Sequence, residues 1–316
     1  MPINTLAYAQ ILQTTLDEAA VREMKTGWMD PNASRVKYNG GNEVKLPKMS
    51  TQGLGTYDRD SGYPQGSITL AWETHTMTQD RGRKFQLDSM DVDETAFVPT
   101  AAGVMGQFQR EHVVPEIDAY RISKLASKAI TLNSAGMVAY GQTISANSST
   151  LRKVKEGIKA IREQGYNGAL VIQANDNTKM ELELELAGKL QNVTWSQGGI
   201  NTTVPAVDGV PIIDTPANRM YTAITLYDGV TAASGNDPDQ TIGGYVKGAS
   251  AKDINFMILP VETPLAITKQ DKMRIFDPNT FQKADAWSID YRRYHDLWVL
   301  DNKVGSIYLS ITQAAS

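Results

Sequence analysis

Three histidines, His75, His112 and His295, make up the whole histidine content of this 316-residue chain. Each stands in a separate segment with no second ligand at metal-site spacing, so none marks a bound ion. The absence of cysteine removes thiolate nucleophiles, disulfides and cysteine-ligated metals. No G-x-S-x-G, P-loop, H-E-x-x-H or dinucleotide glycine pattern occurs. What remains is acid and base chemistry. Asp88, Asp91, Asp93 and Glu94 cluster as a divalent cation would need, but the central glycine of a Ca²⁺ loop is missing. Arg81, Arg83 and Lys84 lie just upstream and are complementary to that cluster, which then needs no ion. Asp118 and Arg121 are spaced i, i+3 on a helical pattern, where they can pair. Paired carboxylates for glycoside chemistry could converge from distant segments, so an enzyme, carbohydrate-active or other, stays as a distant alternative. The pattern points to charge complementarity between packed surfaces, with no catalytic residue, cofactor or metal.

The composition fits a building block. At 41% hydrophobic content and 316 residues the chain can bury a large core, about 75% of its unfolded surface at this size. No Pro/Gly/Ser-rich linker divides it, so interleaved subdomains are expected rather than separate ones. The first residues carry no basic n-region with a following apolar run. No stretch approaches the ~18 apolar residues of a membrane span. With 31 basic and 35 acidic residues the net charge is −4, spread without a basic patch or tail, so any contact with nucleic acid is weak and independent of sequence.

The elements that must position these residues follow from periodicity. Leu12, Leu16 and Ala20 give an amphipathic helix over 5–25, ended by Gly27, Pro31 and Asn32. An extended segment, 36–49, is broken by a turn at 39–42. Residues 44–48 and 68–77, the latter alternating with period two, can pair as a ribbon around a polar, glycine-rich tip at 50–66. A lone ribbon is marginal in water, so it must pack either on another chain or back on its own domain, with Leu70 and Trp72 as the residues a neighbour would cover. Residues 81–88 read as a strand. The longest helix runs over 99–130, and Pro115 inside it predicts a bend or a junction of two helices. Leu151, Val154, Ile158 and Ile161 predict a helix over 149–164, capped by Ser148 or Ser149 and stopped at Gly165. Its other face, Arg152, Lys153, Lys155, Lys159 and Arg162, is read as solvated because Glu156 and Glu163 dilute it. Residues 169–172 form a buried strand, and 178–190 suit a helix capped by Asp176 or Asn177. Short strands are expected at 210–213, 223–227, 255–259, 287–294, 297–300 and 305–309. Without a regular alternation of helix and strand the class is α+β rather than doubly wound.

The order of these elements, with certain strings of residues, resembles the major capsid proteins of tailed bacteriophages, which share the Hong Kong ninety-seven type fold with encapsulin shells. The strings are Asp80-Arg81-Gly82 through Phe85-Gln86-Leu87-Asp88, Asp91-Val92-Asp93-Glu94-Thr95, Pro115-Glu116-Ile117-Asp118-Ala119-Tyr120-Arg121, Gly209-Val210-Pro211-Ile212-Ile213-Asp214-Thr215-Pro216 and Tyr294-His295-Asp296-Leu297-Trp298-Val299-Leu300-Asp301-Asn302-Lys303. They are similar to prophage capsid sequences of Gram-positive hosts.

The resemblance implies an N-terminal helix and arm over 1–42 and an extended β-ribbon loop with its return strand over 43–98. It implies a spine helix with the first part of a peripheral domain over 99–150, an axial domain over 151–254, and the rest of the peripheral domain over 255–316. It implies self-assembly as hexamers and pentamers into an icosahedral shell around packaged double-stranded DNA, in a virion built in the bacterial cytoplasm. The implied partners are the chain itself, a separate scaffolding protein, a portal protein and possible decoration proteins; contact with the DNA is non-specific, and no membrane is involved. An encapsulin-like nanocompartment shell is the alternative. Subunit-interface candidates are Lys45, Lys48, Leu70, Trp72, Arg81, Arg83, Lys84, Asp88, Asp91, Asp93, Glu94, Glu116, Asp118 and Arg121. Covalent cross-links are not predicted, because the lysine, asparagine and acid set of cross-linking members is not matched here.

Overall fold

The computed structural model describes residues 23–35, 37–38, 43–89, 101–132, 136–146, 148–186, 191–197, 200–235, 237–278, 283–299 and 305–315. Most of the expected N-terminal helix lies outside them. Where that helix should end, Gly27–Arg35 winds as a 3₁₀ helix with Pro31 inside it.

Three antiparallel strands, β1 (Lys37–Tyr38), β2 (Glu43–Thr51) and β3 (Ile68–Thr76), form the ribbon, with β2 and β3 in register from Glu43↔Thr76 to Thr51↔Ile68. The chain then enters β4 (Gln79–Asp88), an edge strand of a three-stranded sheet in the order β13 (Pro264–Phe276), β14 (Ala286–Val299), β4. β14 is one strand of 14 residues where the sequence suggested two. Pairing with β13, which continues past a bulge between Thr268 and Gln270, carries it through the polar His295-Asp296 step that separates the two expected strands.

The long helix comprises α1 (Ala101–Phe108), a π turn over Gln109–Val113, and α2 (Val114–Leu132). The irregularity expected at Pro115 is therefore this π turn. Pro115 has no N–H, and in a regular helix its ring would press on the carbonyl four residues back. The wider turn, in which the Val114 N–H reaches back five residues to the Gln109 carbonyl, accommodates both defects.

A seven-stranded mixed sheet forms the main core, in the order β5 (Val138–Ala139), β15 (Tyr308–Ile311), β12 (Ile254–Pro260), β6 (Leu170–Asn175), β9 (Val210–Thr215), β8 (Ile200–Val207), β7 (Gln191–Gln197). The β7/β8 hairpin and strand β13 were not anticipated: the alternation of β7 rests on Val193 and Trp195 alone, and β13 carries the polar run Thr268-Lys269-Gln270-Asp271-Lys272 in its middle. Side chains of β6 and β12 alternate between two apolar layers. Val171, Met257 and Leu259 face Ile122, Leu125, Ala126 and Ala129 of α2 together with Trp28 and Met29. Ile172, Phe256 and Ile258 face Val154 and Ile161 of α3 (Thr150–Glu163) and Leu182 of α4 (Asp176–Leu186). Burial on both faces explains why β12 is a continuous apolar run.

Ser149 caps α3 by accepting from the Arg152 N–H at 3.2 Å, and Gly165 follows its end at φ +87°, as the sequence predicts. α4 is a helix, capped one residue earlier than expected by Asn175, whose Oδ1 accepts from Thr178 N–H at 2.8 Å. The basic face of α3 carries Arg152–Glu156, Lys155–Asp208 and Lys159–Glu163 ion pairs at 3.0, 3.2 and 3.4 Å, consistent with a solvated surface. The helix meets the sheet at Gly157, where an added Cβ would fall 2.8 Å from both Ile258 Cδ1 and Tyr308 Cδ1. Gly157→Ala should therefore lower the melting temperature: overpacking at about 1–3 kcal/mol outweighs the helix-propensity gain of about 1 kcal/mol. Thermal denaturation followed by circular dichroism checks the sign.

Candidate assembly surface

The ribbon is buried at its base and open towards its tip. Directly paired residues share a face, so Val44 and Leu46 lie with His75 and Glu73 on one side. Val44 and Leu46 are buried there against Leu265, Ile267, Tyr294 and Trp298, and His75 stacks on Trp298 at 5.7 Å. The chain's own body thus supports the ribbon base, one of the two supports that the sequence left open. The opposite face carries Met49, Ile68, Leu70 and Trp72, which are 62, 73, 60 and 50% exposed. At the tip Leu54, Tyr57 and Tyr63 are also exposed. Lys45 stands on this apolar face and is exposed, whereas Lys48 stands on the other and is half-buried.

Arg81 and Arg83 have partners other than Asp88, the one described residue of the acidic cluster. Strand alternation points both from β4 toward the long helix and the loop after β10 (Ile224–Leu226). Arg81 makes a bidentate pair with Glu116, Nε to Oε1 at 2.8 Å and Nη2 to Oε2 at 3.0 Å, and donates to the Tyr227 carbonyl at 2.7 Å. Arg83 donates to the carbonyls of Gly229 and Thr241 at 3.4 and 3.1 Å. Lys84 and Asp88 are exposed on β4, with Lys84 opposite Asp290 in the ladder. Asp91, Asp93 and Glu94 lie outside the described residues.

Asp118 and Arg121 are both completely buried, and they do not pair with each other. Asp118 Oδ1 accepts from the Thr26 N–H at 3.0 Å and its hydroxyl at 2.6 Å. Its Oδ2 accepts from the Lys25 N–H at 3.0 Å and from Arg219 Nη1 at 2.9 Å. Arg121 donates to the Thr26 carbonyl at 3.0 Å and to Asp30 at 2.6 Å. Their burial within one chain removes them from the interface candidates: a neighbour cannot reach side chains with no exposed surface. They fasten residues 24–30 across α2 instead.

Sequence reasoning missed a second buried carboxylate, Asp296. It accepts from the Thr78 N–H and hydroxyl, both at 3.0 Å, and from the Tyr120 hydroxyl at 2.8 Å, and it pairs with Lys124. Burial pushes the Tyr120 phenol up and the Lys124 amine down. The available signal was an acid inside the otherwise apolar end of β14. Next to it His295 is buried among Arg293, Arg121, Lys124 and Arg81, and burial followed by those cations holds its imidazole well below its ordinary value. Among the described residues no group of three or more His, Asp or Glu is placed to hold a metal ion. No described helix is long and apolar enough to cross a membrane.

Because Asp118 and Arg121 have separate partners, Asp118→Leu and Arg121→Met should each cost about 3–5 kcal/mol. The double variant should not recover, since Arg219 and Asp30 are left behind; urea titrations of the three proteins read this directly. His295 supplies a pH dependence. Its folded-state affinity for a proton lies below that of the unfolded chain, so the unfolded state binds more protons once pH falls under about 6.5. Stability is therefore fully present above that pH and declines below it. His295→Gln should flatten the decline between about pH 7 and pH 5, measured as denaturation midpoints across that range.

No protein-family model matches the sequence, and no curated protein matches it significantly. The likeness lies in three dimensions. The chain superposes on a chain from the capsid of cyanophage P-SCSP1u with a TM-score of 0.56 at 11% identity, covering 87% of this chain and 84% of that one. The mature capsid of bacteriophage PhiM1 gives 0.53 at 14% identity, over 86% and 82%. A chain of Mycobacterium phage Che8 gives 0.52 at 11%, over 85% and 84%. The α+β arrangement of ribbon, long helix and mixed sheet is thus the Hong Kong ninety-seven type fold of phage capsid subunits.

Proposed function

We propose that this protein is a structural subunit, the major capsid protein of a tailed phage. It associates as hexamers and pentamers into an icosahedral shell around packaged double-stranded DNA. The carrying observation is the ribbon: one face near its tip leaves Met49, Ile68, Leu70 and Trp72 largely uncovered, while the base is locked into the body. A contiguous apolar face on a strand pair is an association surface. The capsid fold makes a second copy of the chain the natural cover, repeated around closed symmetry. Lys45 on that face, and Lys84 and Asp88 on exposed β4, are the charged residues we assign to the contact. Residues 43–98 then act as the extended loop and its return strand and α1 and α2 as the spine; 151–254 act as the axial domain, joined by β12 and β15, which pair into the same sheet, and the rest of 255–316 as part of the peripheral domain.

The net charge of −4 and the ion-paired face of α3 support weak, non-specific contact with enclosed DNA. A separate scaffolding protein and a portal protein complete the proposed assembly in the host cytoplasm, and no catalytic role is assigned. Electron microscopy of the purified protein should show shells or capsomer rings; a strict monomer at every concentration, with and without scaffold, would sink this reading. Replacing residues 51–66 by a two-residue Asn-Gly turn should keep a cooperative melt and native-like circular dichroism while weakening or abolishing assembly. A shortened protein that assembles as well as the parent would show that the segment is an ordinary hairpin.

A further inference from the structure

Residues 227–235 and 237–244 form the two limbs of a strap that leaves the body on a two-stranded stem, β10 with β11 (Tyr245–Lys247), paired from Ile224↔Lys247 to Leu226↔Tyr245. The strap is held together from within. Asp228 accepts from the backbone N–H groups of Val230 and Thr231, both at 2.9 Å, and from the Thr231 hydroxyl, which holds its carboxyl down to about 2. Asp239 does the same for Thr241. The Gly229 and Gln240 N–H groups bridge the two limbs.

Beyond Tyr227, which is buried where the strap leaves the stem, little apolar packing ties it to the body, since Val230 and Ile242 are 80 and 74% exposed. What reaches it from the body is the guanidinium pair. Arg81 bonds the carbonyls of Tyr227 and Gly244 at 2.7 and 3.3 Å, and Arg83 those of Gly229 and Thr241 at 3.4 and 3.1 Å. The backbone is shaped for this. Gly229, Gly243 and Gly244 sit at φ +76°, +70° and +80°, and a Cβ on Gly229 would fall 2.7 Å from Arg83 Nη1. Beneath the strap lies a cavity of about 360 Å³ lined by Phe85, Phe108, His112 and Tyr291.

We infer that 227–244 is a hinged lid, seated over this cavity by Arg81 and Arg83 and free to swing on the β10/β11 stem when they let go. Arg81 is fixed by its bidentate pair with Glu116 and sets the seat. Arg83, exposed and bonded to neutral carbonyls at 3.1 and 3.4 Å, without a carboxylate partner in those bonds, is the releasable half of the clasp.

The absence of native cysteine allows a clean measurement. Nitroxides placed at Val230→Cys on the lid and Ser127→Cys on α2 of the full chain should give one narrow distance distribution by pulsed electron resonance. Adding Arg83→Ala should produce a second, longer-distance population with the global melt unchanged. Gly229→Ala, which displaces the guanidinium from the lid side, should do the same. An unchanged single distribution in both variants overturns the inference. So does broadening that comes with loss of the cooperative melt, because the arginines would then hold the body rather than a lid.

Discussion

Two opposite charges buried on one face of the long helix impose the order on which the rest of the structure depends. A carboxylate and a guanidinium with no exposed surface are tolerable only when nearly every lone pair and proton finds a partner. Asp118 takes both the backbone and the side chain of Thr26, the Lys25 N–H and Arg219, and Arg121 takes the Thr26 carbonyl and Asp30. Satisfying the pair therefore draws the N-terminal segment across α2 and brings the 3₁₀ turn Ala217–Arg219 to the same spot. Trp28 and Met29 then enter the apolar layer between α2 and the central sheet.

The same logic is repeated on a neighbouring side of the helix. Tyr120 and Lys124 of α2 meet Asp296 of β14 and Thr78 at the start of β4, so the long helix is joined by polar contacts to the sheet from which the ribbon departs. The ribbon base inherits this rigidity through Leu265, Ile267, Tyr294 and Trp298. Beyond Leu46 that support ends. An element rigid at its root and apolar but uncovered further out suits contact with a neighbour better than folding back on itself. The cross-chain contact we propose is therefore confined to the outer half of the ribbon.

Much of the architecture was legible because local signals agreed with the tertiary outcome. Leu151, Val154, Ile158 and Ile161 with Ser149 and Gly165 specify α3 by period and caps. The glycine-rich tip between two alternating runs specifies the ribbon, and the apolar run 255–259 specifies a strand buried on both faces. The β7/β8 hairpin escaped because its register comes from pairing within the sheet, and Pro115 was placed correctly as a disturbance but not as a π turn.

The sequence by itself determined most element types, the α+β class and the lack of metal-site and nucleophile motifs, and it singled out Arg81, Asp118 and Arg121 as charges in need of partners. Only the tertiary structure decided their partners. Spacing i, i+3 permits Asp118 and Arg121 to pair, yet donors 92 and 101 residues away offered Asp118 fuller coordination, and Asp30 offered Arg121 the same. Proximity along the chain likewise suggested that Arg81 and Arg83 neutralise nearby acids, whereas strand alternation turns both side chains to Glu116 and the carbonyls of a loop some 150 residues on. Which charges meet is a property of the folded surfaces, because burial rewards the most complete set of partners and not the nearest one in sequence.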